Sequence, residues 1–130
     1  MSSPIIVDRI DHMVLTVVDI DATCDFYGRV LGMEKVVFAG GRVGLTFGSN
    51  KINLHPAGNE YTPRAAMAYP GTGDLCLITE TPIDQVADHL TEMDVEIIEG
   101  PVAKTGATGP LTSVYFRDPD GNLIEVSNYD

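Results

Sequence analysis

The sequence predicts an α+β domain in which two βαβββ modules follow one another, and three observations support that fold. A strand, a helix and three short strands occupy the first half of the chain, and the same order returns in the second half. A polar segment rich in Gly, Pro and Tyr separates the two halves. The chain then closes with a strand, a tight turn and a strand. The expected boundaries are about 8–56 for module one, 57–72 for the linker and 73–130 for module two.

The first module carries clear signals for the ends of its helix. A β-prone run over 10–17 comes first, and Asp19 or Asp21 can cap the helix that follows. Gly32 is the expected stop signal, because glycine adopts the left-handed conformation that ends many helices. Three short strands separated by glycine turns are then expected at 34–38, 43–47 and 51–55.

The second module repeats this order. A strand is expected over 73–79, and Thr81 and Pro82 then resemble a helix start, with Thr81 as the cap. The helix shows one apolar face at helical spacing, formed by Ile83, Val86, Ala87, Leu90 and Met93. A short strand at 96–99 and a loop over 100–110 are expected before the closing hairpin.

The closing hairpin contains a conspicuous carboxylate. Asp118-Pro119-Asp120-Gly121 is a type I turn signal between two β-prone runs. In the last strand Leu123, Glu125 and Ser127 alternate with the apolar Ile124 and Val126. A carboxylate in the middle of such a strand is costly to bury unless it is paired or bound to a metal. The other interpretation is a strand whose Glu125 face meets water.

Composition narrows the possible partners and the compartment. The formal net charge of −11 argues against nucleic acid and against anionic membrane surfaces as partners. Cys24 and Cys76 lack the spacing of a metal knuckle and are expected to be free thiols. Residues 1–4 show no basic region followed by a long apolar core, so no secretory signal is visible. A cytoplasmic protein is the expectation.

Polar residues stand at matched places in the two modules. Each module has one near the start of its first strand and one or two in its last strand: His12, Asn53 and His55 in module one, Asp74 and Glu125 in module two. If a pseudo-two-fold axis relates the modules, these side chains converge on one concave surface. Two imidazoles and one or two carboxylates suit a divalent metal such as Mn, Fe, Co, Ni or Zn.

Each of these residues also has a simpler interpretation. His12 can be a structural histidine that makes ordinary hydrogen bonds. His55 precedes Pro56 and can begin a loop, while Asp74 follows Gly73 and can cap a turn. The matched placement in a duplicated unit favours the metal site over these separate explanations.

Three stretches carry a resemblance to a known superfamily. They are residues 10–17 with His12, residues 26–33 with Phe26-Tyr27 and Val30-Leu31-Gly32-Met33, and residues 116–125 with Asp118-Pro119-Asp120-Gly121 and Glu125. The chain resembles the vicinal oxygen chelate superfamily, which includes glyoxalase I, fosfomycin-resistance proteins, extradiol dioxygenases and methylmalonyl-CoA epimerase. It looks most like the small single-domain lactoylglutathione-lyase-like proteins.

The resemblance implies a curved mixed sheet in each module and a metal in the cleft between them. It implies His12, Asp74 and Glu125 as metal ligands, with His55 as a further candidate from the fourth strand. Asn53 stands where bacterial-type glyoxalase I has a Glu ligand, and Asp74 stands where that enzyme has His. Weak or absent activity on the hemithioacetal of glutathione and methylglyoxal is therefore expected.

The expected function is a metal-dependent lyase or isomerase that acts on a small oxygen-rich metabolite by bidentate chelation, in a homodimer. Glu125 is the candidate proton-transfer group. Lys104 and Tyr115 are the candidate substrate-binding residues. Lys104 is expected to form, with residues 105–110, a mobile loop that closes over an anionic group of the substrate. Two alternatives remain open. One is a non-catalytic binder like the bleomycin-sequestering members, and the other is an Fe(II) dioxygenase.

Overall fold

Ten regular elements make up the chain in the computed structural model, which describes residues 2–130. The first module contains one helix and four strands: β1 (His12–Val17), α1 (Ile20–Leu31), β2 (Glu34–Phe38), β3 (Arg42–Phe47) and β4 (Asn50–Pro56). The second contains the same set: β5 (Asp74–Ile78), α2 (Ile83–Glu92), β6 (Glu99–Thr105), β7 (Pro110–Arg117) and β8 (Leu123–Tyr129). No helix within the described residues is long and apolar enough to cross a membrane.

The strands form two four-stranded mixed sheets with the same topology. The first sheet has the order β1-β4-β3-β2, and the second has the order β5-β8-β7-β6. In each sheet the first and last strands of the module pair in parallel, while the other neighbours are antiparallel. The predicted fold of two βαβββ modules is confirmed.

Helix α1 begins and ends where the sequence indicates. Asp19 is the N-cap, and its Oδ1 accepts a hydrogen bond of 2.9 Å from the backbone N–H of Ala22. Gly32 ends the helix in the left-handed conformation, with φ of 69°. The helix buries Thr23, Tyr27 and Val30, which share one face.

Helix α2 is capped differently from the expectation. The Thr81 side chain does not cap it, and Pro82 occupies the N-cap position without a side-chain bond to the helix. The backbone N–H of Ile83 instead donates to Oδ1 of Asn128, on strand β8, over 2.8 Å. The prediction of a Thr81 cap is wrong because Pro82 holds the chain extended at this point, and a distant amide takes the role.

The expected short strand at 96–99 and the loop over 100–110 are also wrong. Strand β6 covers Glu99–Thr105, and residues 106–109 form the turn of a β6-β7 hairpin, in which the N–H of Gly106 donates to the carbonyl of Gly109. The Gly100-Pro101 pair is typical of a loop, yet β6 lies at a sheet edge, where proline is tolerated. The pairing register shifts between Glu99 and Val102, and a Cβ on Gly100 would collide with the carbonyl oxygen of Ser113.

One hydrophobic core joins the two modules. It contains residues from both sheets and both helices: Leu15, Val17, Tyr27, Val30, Met33, Leu45, Ile52, Leu54, Leu90, Val114, Phe116, Ile124 and Val126. In β8 the apolar Ile124 and Val126 face this core, as the alternation predicts. The opposite faces of the two sheets carry the polar residues singled out above.

Candidate functional site

The polar face of the first sheet brings His12, Asn53 and His55 onto one surface. Strand β1 pairs in parallel with β4, and the register places Lys51 beside His12, Asn53 beside Val14, and His55 beside Thr16. Since residues two apart on a strand share a face, the three predicted site residues of module one point to the same side of the sheet. We call this surface the first polar face.

His55 and Asn53 are the chemically unusual members of the first polar face. His55 retains only 7% of its exposure, and its Nδ1 is buried without a hydrogen-bond partner. Asn53 Oδ1 is buried without a partner as well. Burial, followed by the nearby Arg42 guanidinium, lowers the pKa of His55. His55 is thus a neutral imidazole at pH 7, the form in which histidine binds metals.

His12 is more exposed than His55, and the Asp11 carboxylate orients its ring. Its Nδ1 lies 2.8 Å from the Oδ2 of Asp11, and the His12 side chain is 47% exposed. A carboxylate on one ring nitrogen fixes the tautomer and leaves the other nitrogen available, which is the usual arrangement around a metal-binding histidine. The geometry around His12 is compatible with the predicted ligand role.

The polar face of the second sheet is built around Glu125. Strand β8 lies between β5 and β7, so that Glu125 has Cys76 on one side and Tyr115 on the other. The hydroxyl of Ser113 donates to Oε2 of Glu125 over 2.7 Å, and Ser127 contacts the same oxygen at 3.3 Å. We call this surface the second polar face. Both serine hydroxyls therefore converge on the same oxygen of Glu125.

Tyr115 and Lys104, the two predicted substrate-binding residues, lie together on the second polar face. The Lys104 ammonium is 5.3 Å from the centre of the Tyr115 ring and 3.4 Å from the carboxylate of Glu99. Burial, and then hydrogen bonding and charge at Glu125, raise the pKa of Tyr115 to about 12. Because Lys104 belongs to strand β6, it does not lie on the expected mobile loop.

A single chain does not bring the four predicted metal ligands together. His12 and His55 lie on the first sheet, whereas Asp74 and Glu125 lie on the second. Within residues 2–130 no three His, Cys, Asp or Glu side chains are grouped so that they could hold a metal ion. His55 and the exposed Asp74 do line one common cavity of about 310 Å³, which residues 63–72 of the linker help to close.

Sequence reasoning missed several residues around these side chains. Ser113 and Ser127 are fully buried, and their hydroxyl oxygens lie 2.6 Å apart in a hydrogen bond. Both hydroxyls also contact the Glu125 carboxylate. Tyr61, in the linker, packs edge-on against the His55 ring with centroids 5.1 Å apart. The alternation of Ser113 with Tyr115 was a usable signal for the serine. No local pattern connects Tyr61 with His55.

Comparison with known proteins decides the family. A model of the Glyoxalase/Bleomycin resistance protein/Dioxygenase superfamily matches residues 9–126. The chain belongs to this superfamily. The resemblance found in the three sequence stretches is confirmed.

Two relatives are about half identical to this chain over the aligned residues. The virulence protein STM3117 of Salmonella typhimurium is 52% identical to this chain. The alignment covers 98% of this chain and 89% of the length of STM3117. Its crystal structure gives a TM-score of 0.96 over 97% of this chain and 100% of that chain. The glyoxalase domain-containing protein RDO1 of Mycosarcoma maydis is 50% identical over 95% of this chain and 69% of its own.

A more distant relative has a chemically informative name. The metallothiol transferase FosB of Shouchella clausii is 29% identical, covering 92% of this chain and 80% of its own. The superfamily therefore includes a relative whose name indicates a metal-dependent transferase.

Proposed function

We propose that this chain is a metal-dependent lyase or isomerase that acts on a small oxygen-rich metabolite through bidentate metal chelation. The metal is one of Ni, Mn, Co, Zn and Fe, and its ligands are drawn from His12, His55, Asp74 and Glu125. The observation that carries this proposal is the buried His55 imidazole, whose Nδ1 has no hydrogen-bond partner. An unpaired buried polar atom costs free energy in a folded protein, so its retention calls for an explanation such as a bound ligand.

The chemistry of the donor set fits such a metal. Neutral imidazoles together with carboxylates are the ligands of borderline divalent cations. When bound, the metal supplies Lewis acidity to two neighbouring substrate oxygens. Because the two polar faces belong to different sheets, we propose that a second copy of the chain faces the first, so that His12 of one copy and Glu125 of the other contribute to one site. The functional unit is then a homodimer.

Glu125 is the proposed proton-transfer group. Ser113 and Ser127 contact its Oε2, and Oε1 is the oxygen that would bind the metal or accept a proton from the substrate. Tyr115 is protonated at neutral pH, as its raised pKa of about 12 also ensures in alkaline solution, and its hydroxyl can donate a hydrogen bond to a substrate oxygen. Lys104 lies beside it as the second substrate-binding group.

The proposed substrate is not the hemithioacetal of glutathione and methylglyoxal. Asn53 offers a neutral amide oxygen at the position of the Glu ligand of bacterial-type glyoxalase I, and an amide can neither supply the missing charge nor accept a proton. His55 lies two residues further along the strand, a backbone distance of about 6–7 Å. A shift of this size would place a bound metal differently and change which substrate atoms could reach it.

Metal analysis of Glu125→Ala tests the proposal. We expect the wild type, purified without chelator, to carry close to one divalent metal per chain and Glu125→Ala to lose most of it. Mass spectrometry of the metals measures both. Glu96→Ala is a matched control, because Glu96 is exposed and lies in the connection before β6. Equal, substoichiometric metal in wild type and Glu125→Ala would contradict the proposal.

A second candidate function is non-catalytic binding of a small molecule, and the cavity of about 310 Å³ favours it. Met13, Leu15, Met67 and Tyr69 line the cavity with apolar surface. A volume of this size suits a small ligand. A binder of this kind needs no metal, so the metal analysis separates the two functions.

We also propose a cytoplasmic location. Cys24 and Cys76 are both free thiols, as expected from their sequence context. Burial raises the pKa of each thiol, which lowers its reactivity. Free, unpaired cysteines are typical of proteins from reducing compartments.

A further inference from the structure

Cations are scarce in this chain, and half of them are paired with a carboxylate. The sequence contains 8 Lys and Arg residues against 19 Asp and Glu residues. Four of the eight form ion pairs with a carboxylate: Arg9, Arg29, Arg64 and Lys104. The other four, Lys35, Arg42, Lys51 and Arg117, form none within residues 2–130. Arg42 and Lys51 differ from the other two in their common position. Both lie on the first polar face.

Lys51 is held across the sheet by its hydrocarbon stem. Its Nζ lies 3.7 Å from the centre of the Phe38 ring, two strands away from β4. The stem passes over Gly44, where an added Cβ would lie 3.1 Å from Cδ and 3.2 Å from Cγ of Lys51. The absence of a side chain at Gly44 therefore creates the groove in which Lys51 lies. A desolvated stem with an ammonium on an aromatic face is a fixed cation rather than a mobile surface lysine.

Arg42 is fixed in the same way. Its guanidinium carbon lies 4.4 Å from the centre of the Tyr61 ring, and Tyr61 in turn packs against His55. Arg42 is also the direct cross-strand neighbour of Phe38, the residue under the Lys51 ammonium. The two cations are thus held on the β3-β2 side of the first polar face, next to Asn53 and His55. Both are braced by aromatic rings, which leave their hydrogen-bond donors free for a ligand.

We propose that Arg42 and Lys51 bind an oxyanion group, a carboxylate or phosphate, of the substrate, on the part of the first polar face next to Phe38 and Tyr61. This inference rests on the proposed function, because the metal would hold the reacting oxygens while the two cations hold a charged group elsewhere on the same molecule. Guanidinium and ammonium donors are the standard partners of such groups. The substrate is accordingly an anionic metabolite.

Binding of simple anions to metal-free protein tests the inference independently of the metal. The probes are succinate and inorganic phosphate, neither of which has an α-hydroxyl group for bidentate chelation. We expect each to shift the backbone amide signals of residues 42–46 and 51–55 in NMR titrations. Arg42→Gln and Lys51→Gln should each raise the apparent dissociation constant about tenfold. Tighter binding of succinate assigns a carboxylate, and tighter binding of phosphate assigns a phosphoryl group.

Two further variants separate the anion site from a general effect of charge. Lys35→Gln removes the same charge from β2, but Lys35 pairs with buried Leu45 and alternates with Val36, so it lies on the other face of the sheet. It should bind both anions like the wild type. Gly44→Ala keeps both charges, at a backbone conformation that alanine tolerates, yet displaces Lys51 and should weaken binding severalfold.

Three results would overturn the inference. They are unchanged anion binding in Arg42→Gln and Lys51→Gln, an equal loss in Lys35→Gln, and a change in dimer dissociation without a change in anion binding. The last result would show that the cations pair with a second copy of the chain. Metal content of Lys51→Gln should equal that of wild type, so failure of the metal proposal and failure of the anion site are seen in different measurements.

Discussion

The carboxylate of Glu125 depends on two serine hydroxyls for its orientation. Ser113 and Ser127 are fully buried, hydrogen-bonded to each other and both in contact with Oε2. Such partners of a metal-binding carboxylate select one orientation and reduce the reorganisation needed on binding. The two oxygens of Glu125 are consequently unequal, and only Oε1 is free of these serines.

Ser113→Ala should weaken divalent metal binding about 10–100-fold, because Glu125 loses its shortest hydrogen bond. Titration against a competing chelator measures the effect, and Ser113→Thr should restore much of the affinity through its hydroxyl. Thr112→Ala is the matched control, since the Thr112 hydroxyl bonds to Asp130 instead. If Ser113→Ala binds metal as wild type does while Glu125→Ala does not, the serine has only a packing role.

The sequence predicts the positions of the site residues better than their surroundings. Strand alternation places His12, His55 and Glu125 on polar faces because the period of a strand is fixed by its backbone. It does not show that His55 is buried, since the covering residue Tyr61 comes from the irregular linker. Nor does it show that the Lys51 ammonium lies over the Phe38 ring. That contact reaches from β4 across β3 to β2 and depends on the missing side chain at Gly44.

At the scale of elements, the failures of prediction occur where distant chain segments decide the local structure. Helix α2 begins with hydrogen bonds to Asn128, whose amide also donates to the carbonyls of Thr79 and Thr81 over 2.8 Å each. The sequence near the helix suggests Thr81 instead. Strand β6 forms in spite of Gly100-Pro101, because pairing with β7 outweighs the local preference for a loop.

Asn128→Ala should lower the free energy of unfolding by about 2 kcal/mol, because three hydrogen bonds at the start of α2 are lost. Thr81→Ala should change it by less than about 0.5 kcal/mol, since Thr81 is exposed and does not cap the helix. Urea unfolding curves measure both. The opposite ranking of the two variants would favour the cap suggested by the sequence.

The turn after β7 connects the two modules as well as its own strands. Asp118 is buried, and its carboxylate accepts hydrogen bonds from the Tyr27 hydroxyl at 2.7 Å and from the backbone and side chain of Asn122. Burial, followed by the charge of Asp118, raises the pKa of Tyr27 far above its ordinary value of 10.0. The Asp118-Pro119-Asp120-Gly121 motif thus has a structural role that explains its regularity.

Tyr27→Phe should reduce the free energy of unfolding at pH 7 by about 1–3 kcal/mol, because Asp118 loses one buried donor. Above pH 10 the unfolded chain ionises Tyr27 while the folded chain does not, so the wild type loses stability with rising pH. The variant lacks this loss. The difference between the two proteins should therefore shrink by about 0.8 kcal/mol from pH 8 to pH 10.5.

Urea unfolding at the two pH values measures this change. The raised pKa of Tyr115 affects both proteins equally and cancels in the comparison. A difference that stays constant with pH would show that Tyr27 ionises equally in the folded and unfolded states.

At the scale of the whole molecule, the duplication leaves each chain with two incomplete sets of the proposed metal ligands. His12 and His55 lie on one sheet, and Asp74 and Glu125 lie on the other, with no group of three assembled within the described residues. Duplicated modules can complete each other across a two-fold axis, because the same pairing then forms twice. The repeat in the sequence predicts the two faces but does not show whether they meet within a chain or between chains.

Mixing two variants that each lack one proposed metal ligand distinguishes a site within one chain from a site shared between chains. In a heterodimer of His12→Ala and Glu125→Ala chains, a site shared between chains would have both defects in one copy, and the other site would be intact. After unfolding and refolding an equimolar mixture, about a quarter of the wild-type metal sites should return, since half of the dimers are mixed and each has one intact site. Metal content and sedimentation of the mixture measure this recovery. Sites formed within one chain would give no recovery, and sedimentation of the wild type only at 14.0 kDa would exclude a shared site.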